Sequence, residues 1–256
     1  MKNGNKMNSS FAGAAMLAVL TATSAAAQPA PTDPVTTSFT ENEHHTFSAE
    51  EQGLIDAMLD GTHAAVAARF PSLADDVSVT VVPVHRPALD ALGGVTGRAD
   101  RPNELLVEIS VTYPGGVAAA VADGLEATFL HELHHTVRGW TMQANHYGHG
   151  IQIATINEGL ATVFAEEVLG EANPADLPPA EVEDWANEIL ALPRRANYGE
   201  WMFSHPDGRL AVGYRTGRWV VRRAMERSGL DIIELTDRSP AAIWAMAGFE
   251  WDRNME

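Results

Sequence analysis

His131-Glu132-Leu133-His134-His135 sets two histidines four residues apart in what reads as the middle of an amphipathic helix. Four residues advance a helix by about 400°, so His131 and His135 point the same way and their imidazoles can share one metal ion. Glu132 lies about 100° around the axis from His131, where it can reach a water beside that metal without being a ligand itself. The surroundings support a helix. From Gly116, the apolar residues Val117 to Val121, Leu125, Phe129, Leu130, Leu133 and Val137 keep helical spacing until Gly139, a C-terminal cap. Leu125, Phe129, Leu133 and Val137 form a core face, while Ala127, His131, His135 and Arg138 gather on another. A lone histidine there would read as an ordinary helix edge; the whole motif reads as metal binding.

A catalytic zinc usually takes three protein ligands, so a third is needed. The continuation with a glycine and a third histidine is absent, because Arg138 and Thr141 occupy those places. Between Gly150 and Gly170 the chain reads as a second helix. Around Glu158, one of its faces carries the small residues Ala154, Thr155, Ala161, Thr162 and Ala165, and the opposite face carries Ile153, Ile156, Leu160, Val163 and Phe164. Small residues let another helix come close, so Glu158 is expected to be pressed against a neighbour. An unpartnered carboxylate there is costly or changes its ionisation, and a metal removes that cost. The competitors are less well placed. His134 points about 100° away from His135, His146 and His149 fall in a glycine-containing loop, and Glu166 and Glu167 near the helix end are expected to face solvent. Glu158 is the preferred third ligand.

His-Glu-Leu-His-His followed by Asn157-Glu158-Gly159-Leu160-Ala161 resembles the glutamate-ligand zinc peptidases, the gluzincins. More narrowly, the chain resembles the zinc-dependent proteases of domain-of-unknown-function family 2268. The segments that carry this likeness are Gly93-Gly94-Val95-Thr96-Gly97, Leu105 to Ile109, His131 to Arg138, Glu158 to Ala161 and Val212-Gly213-Tyr214, within about Gly93 to Phe249. The resemblance implies a zincin-like metallopeptidase with one zinc per chain, held by His131, His135 and Glu158. Glu132 would be the base that takes a proton from the metal-activated water and passes it to the leaving amine. It also implies a tyrosine donor to the developing oxyanion. Tyr214 is the first candidate and His205 the second; Tyr214 reads equally as an aromatic packing residue. Arg138 could bind a substrate carboxylate or steady Glu158. The expected substrate is a peptide or protein. Two alternatives stay open: a hydrolase of non-peptide amides or esters, and a zinc-binding interaction module without catalysis. The presence of Glu132 speaks against the latter.

Residues 1–27 read as an export signal: Lys2 and Lys6, an apolar run from Phe11 to Leu20, then Ala25-Ala26-Ala27. A periplasmic or secreted location follows as the expectation, with no membrane association after cleavage. The chain has no cysteine, so any metal site must use histidines and carboxylates. Its 17 basic residues fall to 15 without Lys2 and Lys6, against 34 acids, a balance of −19 that disfavours nucleic acid as a partner.

Residues 28–42, rich in Pro and Thr, read as a flexible leader, and 43–256 as a single domain. Ser48 and Glu51 form a capping box for a helix reaching about Phe70. Val77 to Val84 and Glu104 to Tyr113 read as strands; the second either borders the cleft and pairs with substrate or is an ordinary sheet strand. Further helices are expected from Pro178 to about Leu192, from Arg209 to Ser228 and after Ser239-Pro240. The expected fold is α+β and mostly helical, with a small sheet beside the histidine helix and a helical C-terminal part.

Overall fold

Alternating valines make the spine of the sheet. The structure, a computed structural model, describes residues 34–251, so the expected export signal lies outside the described residues. In β2 (Val77–Val84), Val77, Val79 and Val81 face the core, and in β4 (Glu104–Ser110) Leu105, Val107 and Ile109 do the same. The two strands pair in parallel, Ser78 opposite Glu104 through Val84 opposite Ser110. β1 (Val35–Phe39) adds in parallel to β2, and β3 (Val95–Arg101) adds antiparallel to β4, giving the order β1-β2-β4-β3.

Two of these strands depart from the sequence expectation. β1 lies within residues 28–42, read as a flexible leader, yet Val35 is buried and the whole segment is in register with Val77 to Val81. Five residues with two apolar side chains carry too little periodicity to show this; the pairing comes from the partner strand. β3 was not expected because Thr96, Gly97 and Arg98 separate its inward residues Val95 and Ala99, and glycine weakens a strand reading.

α1 (Ala49–Ala67) opens on the Ser48–Glu51 capping box and buries Ile55, Leu59 and Val66. The helix expected from Gly116 to Gly139 forms in three pieces: α2 (Gly116–Ala120), a π turn over Val121–Leu125, and α3 (Glu126–Arg138), which ends on Gly139 in the left-handed conformation. α4 (Ile151–Leu169) is buried continuously from Ile151 to Glu166, its polar residues Gln152, Asn157, Glu158 and Glu166 included, because other elements cover it on all sides. Around it lie α3, α7 (Val212–Ser228), α8 (Ile232–Thr236) and α9 (Pro240–Met246). α5 (Val182–Leu190) and α6 (Tyr198–Met202) complete the chain. The fold is therefore α+β and mostly helical. No helix among the described residues is long and apolar enough to cross a membrane.

The small face of α4 finds its closest neighbour in α7. A Cβ added at Gly159 would overlap the backbone of Gly217, and one added at Gly217 would overlap the carbonyl of Thr155. Two backbones this near exclude any side chain between them. The close approach expected at this face thus involves two neighbours: α3 contacts α4 as well, and the glycine crossing brings in α7 and, with it, Tyr214.

Candidate metal centre

α3 presents His131 and His135 side by side, ring centroids 4.6 Å apart and nearly perpendicular. α4 crosses opposite and delivers Glu158, 4 % exposed, with Oε2 2.9 Å from His131 Nε2 and 3.3 Å from His135 Nε2. Among the described residues these three make the one group of histidines and acids whose ligand atoms cluster, all within 4.8 Å of one another. A tetrahedral zinc bound at about 2.0–2.2 Å holds neighbouring ligand atoms roughly 3.4 Å apart. Two of the separations already match that, and the donors are of the kind zinc takes, so the residues fit the ion.

The charges fit as well. Burial, the largest influence on Glu158, favours its neutral form, but the facing imidazoles of His135 and His131 more than offset this and hold its carboxyl far below the usual carboxylate range. Burial also lowers the affinity of His131 for a proton, yet its hydrogen bond to Glu158 leaves its pKa raised.

Glu132 is not part of the cluster. It sits beneath β3, where a Cβ at Gly97 would lie 2.5 Å from Glu132 Cγ and 2.9 Å from Thr128 Cγ2, so only glycine at 97 leaves room for this carboxylate. Burial, the largest influence, raises its pKa, although the nearby imidazoles and the main chain of Ala99 favour its charged form. A base raised in this way holds a proton more readily near neutral pH. The cleft above is about 670 Å³ and is lined by Gly97, Arg98, Trp140, Met142, Phe203 and Tyr214, together with the ligand cluster.

Tyr214, near the start of α7, lies in this cleft with its ring 6.4 Å from that of His131, and burial and the nearby Glu158 push its phenol well above the ordinary range. Tyr198, at the start of α6, was missed by sequence reasoning. Its hydroxyl donates to Glu158 Oε1 at 3.3 Å, so the two carboxylate oxygens are divided between the histidines and a tyrosine. Asn197, which caps α6 through the N–H groups of Gly199 and Glu200, is the only legible signal there, and it marks a helix start without marking a site.

His205 is not in the cleft: its Nδ1 lies 2.8 Å from Asp207 Oδ1 and its ring packs on Trp201, which removes it as a second oxyanion donor. Arg138 is neither at the site nor at the surface. It is buried and donates to Asn157 Oδ1 and to the carbonyls of Thr236 and Arg238, tying the end of α3 to α4 and to the segment after α8; burial lowers its pKa to about 10. Its last-turn position put it near the metal face, but its long side chain reaches back into the core. Glu166, expected in solvent, is buried between Arg218 (2.6 Å) and Arg222 (2.9 Å), whereas Glu167 is exposed and pairs with Arg222. His134 is in the core against Phe70 and Phe164, with Nε2 3.0 Å from Thr236 Oγ1. His149 lines the cleft but stays outside the cluster. β4 borders the cleft through Leu106 and Glu108, but it is paired on both sides, so the free edge there belongs to β3.

No curated protein and no solved structure matches the chain. A family model does match, over residues 74–245. That span is about two thirds of the chain and contains both helices of the ligand cluster, the edge strand β3 and both cleft tyrosines. The chain belongs to the family described as predicted Zn-dependent protease (DUF2268).

Proposed function

We propose that the protein is a zinc metallopeptidase that works outside the cytoplasm. The observation that carries this reading is the placement of Glu132: buried beside three clustered ligands, outside their set, and open to a cleft under the edge of a sheet. A structural zinc site uses four protein ligands and needs no base beside it. Here there are three ligands and a base.

Zinc, when held by His131, His135 and Glu158, supplies a Lewis acid that polarises a carbonyl and lowers the pKa of water to about 7. Glu132 takes the proton from the attacking water and returns it to the leaving amine. The Tyr214 hydroxyl, a proton donor at any physiological pH, supports the oxyanion that develops on the carbonyl. Tyr198 holds Oε1 of Glu158, so that Oε2, the oxygen facing the two histidines, would be the one available to a metal. The outer edge of β3 offers main-chain groups to an extended peptide.

The two tyrosines can be told apart. Tyr214→Phe should keep zinc affinity and lower kcat by about 10²-fold or more, with little change in KM. Tyr198→Phe should instead weaken zinc by about 10- to 100-fold, as loss of a ligand's hydrogen-bond partner does. Chelator competition and steady-state kinetics on both variants check this, and a reversed pattern exchanges the roles.

Metal analysis combined with turnover of an unbiased peptide library tests the function itself. About one zinc per chain with peptide cleavage is expected. Zinc with hydrolysis of amides or esters alone would make it a different metallohydrolase, and zinc with no hydrolysis would make it a binding module. The location rests on residues 1–27 and is tested by intact mass in the native host: the N-terminus should fall at or near Gln28, and a full-length cytosolic species would refute export.

A further inference from the structure

β3 is the edge of the sheet that faces the cleft, but part of that edge is already in use. Ser110 N donates to Gly94 O at 2.8 Å, and the register then assigns the main-chain groups of Thr96 and Arg98 to β4. Those of Gly97 and Ala99 turn outward. A bulge follows between Ala99 and Arg101, and it lets two successive carbonyls face out. Met142 N donates to Ala99 O and Gln143 N to Asp100 O, both at 3.0 Å.

Those donors belong to a tight hairpin, Trp140–Asn145. It is closed by the Trp140–Asn145 bridge and by Thr141 N donating to Ala144 O at 2.8 Å, and Arg101 Nε fastens it to β3 through Gln143 Oε1 at 2.7 Å. Met142 at its tip is 70 % exposed and lines the cleft. The hairpin is therefore a built wall across one end of the open edge, leaving Gly97 as the free outward position directly above Glu132.

A peptide that adds to a sheet edge beside an antiparallel pair adds antiparallel by preference. Its amino end then points along β3 toward Ala99 and the wall, and its carboxyl end points toward Val95. The scissile bond must lie level with Gly97, where Glu132 is, and the edge closes two residues further on, about 7 Å at the strand rise. We infer that this site takes the free amino end of a peptide and removes one or two residues from it, with the hairpin Trp140–Asn145 as the stop. The inference rests on the peptidase reading and deepens it to an aminopeptidase. The step is a hydrolysis: one water is consumed, the carbonyl carbon gains its oxygen as the C–N bond breaks, and the new amine keeps the proton carried by Glu132.

The test uses zinc-loaded wild-type protein and matched peptides of about ten residues, either free, acetylated at the amino end, or amidated at the carboxyl end, with products read by mass spectrometry. Loss of one or two residues from the amino end is expected, slowed about tenfold or more by acetylation, which pushes the bond out of line with Glu132, and little changed by amidation. Gln143→Pro, which removes both the main-chain bond to Asp100 O and the side-chain tie to Arg101 and touches no ligand, should bring the acetylated and free rates closer together. Should that variant fail to fold, the wild-type comparison decides alone. Internal cleavage of the acetylated peptides at the rate of free ones, or trimming from the carboxyl end, overturns the aminopeptidase inference and leaves the peptidase reading standing. No cleavage of any library peptide overturns both.

Discussion

Glu132→Gln should keep its zinc and lose 10²- to 10⁴-fold in kcat, the range a positioned general base contributes. The amide has the shape of the carboxylate, so it fits the space that Gly97 leaves above its Cγ and disturbs neither His131 nor His135. What it lacks is a site for the proton. Because Glu132 is buried and its pKa is raised, replacement by a neutral group also removes a charge that the fold pays to hold, and the variant should be at least as stable to heat as the wild type. Activity and stability would then move in opposite directions, a combination that a structural role for Glu132 does not produce. Zinc content and turnover on one preparation, with a thermal unfolding curve, measure all three quantities. Full turnover in the metal-loaded variant would place the base elsewhere; loss of zinc would make Glu132 part of the metal's support.

The local parts of this molecule were legible in the sequence. The capping box at Ser48, the valine alternation of β2 and the glycine stop at Gly139 each depend on residues a few positions apart, and periodicity reads such features. The histidine pair is of the same kind, since one helix sets its spacing. What escaped depends on distant partners. β1 is a strand because β2 is beside it, and β3 is the edge because β4 was enclosed between two others. Tyr198 reaches Glu158 from 40 residues away, out of a five-residue helix with no pattern of its own. Arg138 and Glu166 were misread for one reason: each charge was assigned to solvent or cleft because burial needs partners, and those partners, Thr236 and Arg238 for one and Arg218 and Arg222 for the other, lie far along the chain.

The small-residue face of α4 shows how a correct local reading can still name too few neighbours. Ala154, Thr155 and Ala161 do announce a close approach, but pattern alone does not say which helix approaches. Gly217, one turn beyond Tyr214, supplies the answer. With α4 held against α3 on one side and against α7 on the other, Glu158 becomes the point at which the histidines and both tyrosines meet.

Glu158→Ala should therefore have the largest effect on the metal, weakening zinc by about 10²- to 10³-fold, or roughly 3–4 kcal/mol for one of three protein ligands. His146→Ala and His149→Ala should change it little, although His149 lines the same cleft. The stability of the metal-free protein should fall far less than its affinity, because the substitution removes a buried charge along with its partners' interactions. Excess zinc raises the unfolding temperature of any protein that binds it only when folded, and each tenfold loss of affinity takes away about 1.4 kcal/mol of that stabilisation. The zinc-dependent rise in Tm should thus shrink or vanish in Glu158→Ala, persist in both loop variants, and be reduced to an intermediate degree in Tyr198→Phe, where the ligand remains and only its orientation is loosened. The order of the four variants is the decisive result. If His149→Ala lost the rise and Glu158→Ala kept it, the loop histidine would be the third ligand, and the close packing of Glu158 against His131 and His135 would have to be an ion pair of the metal-free protein.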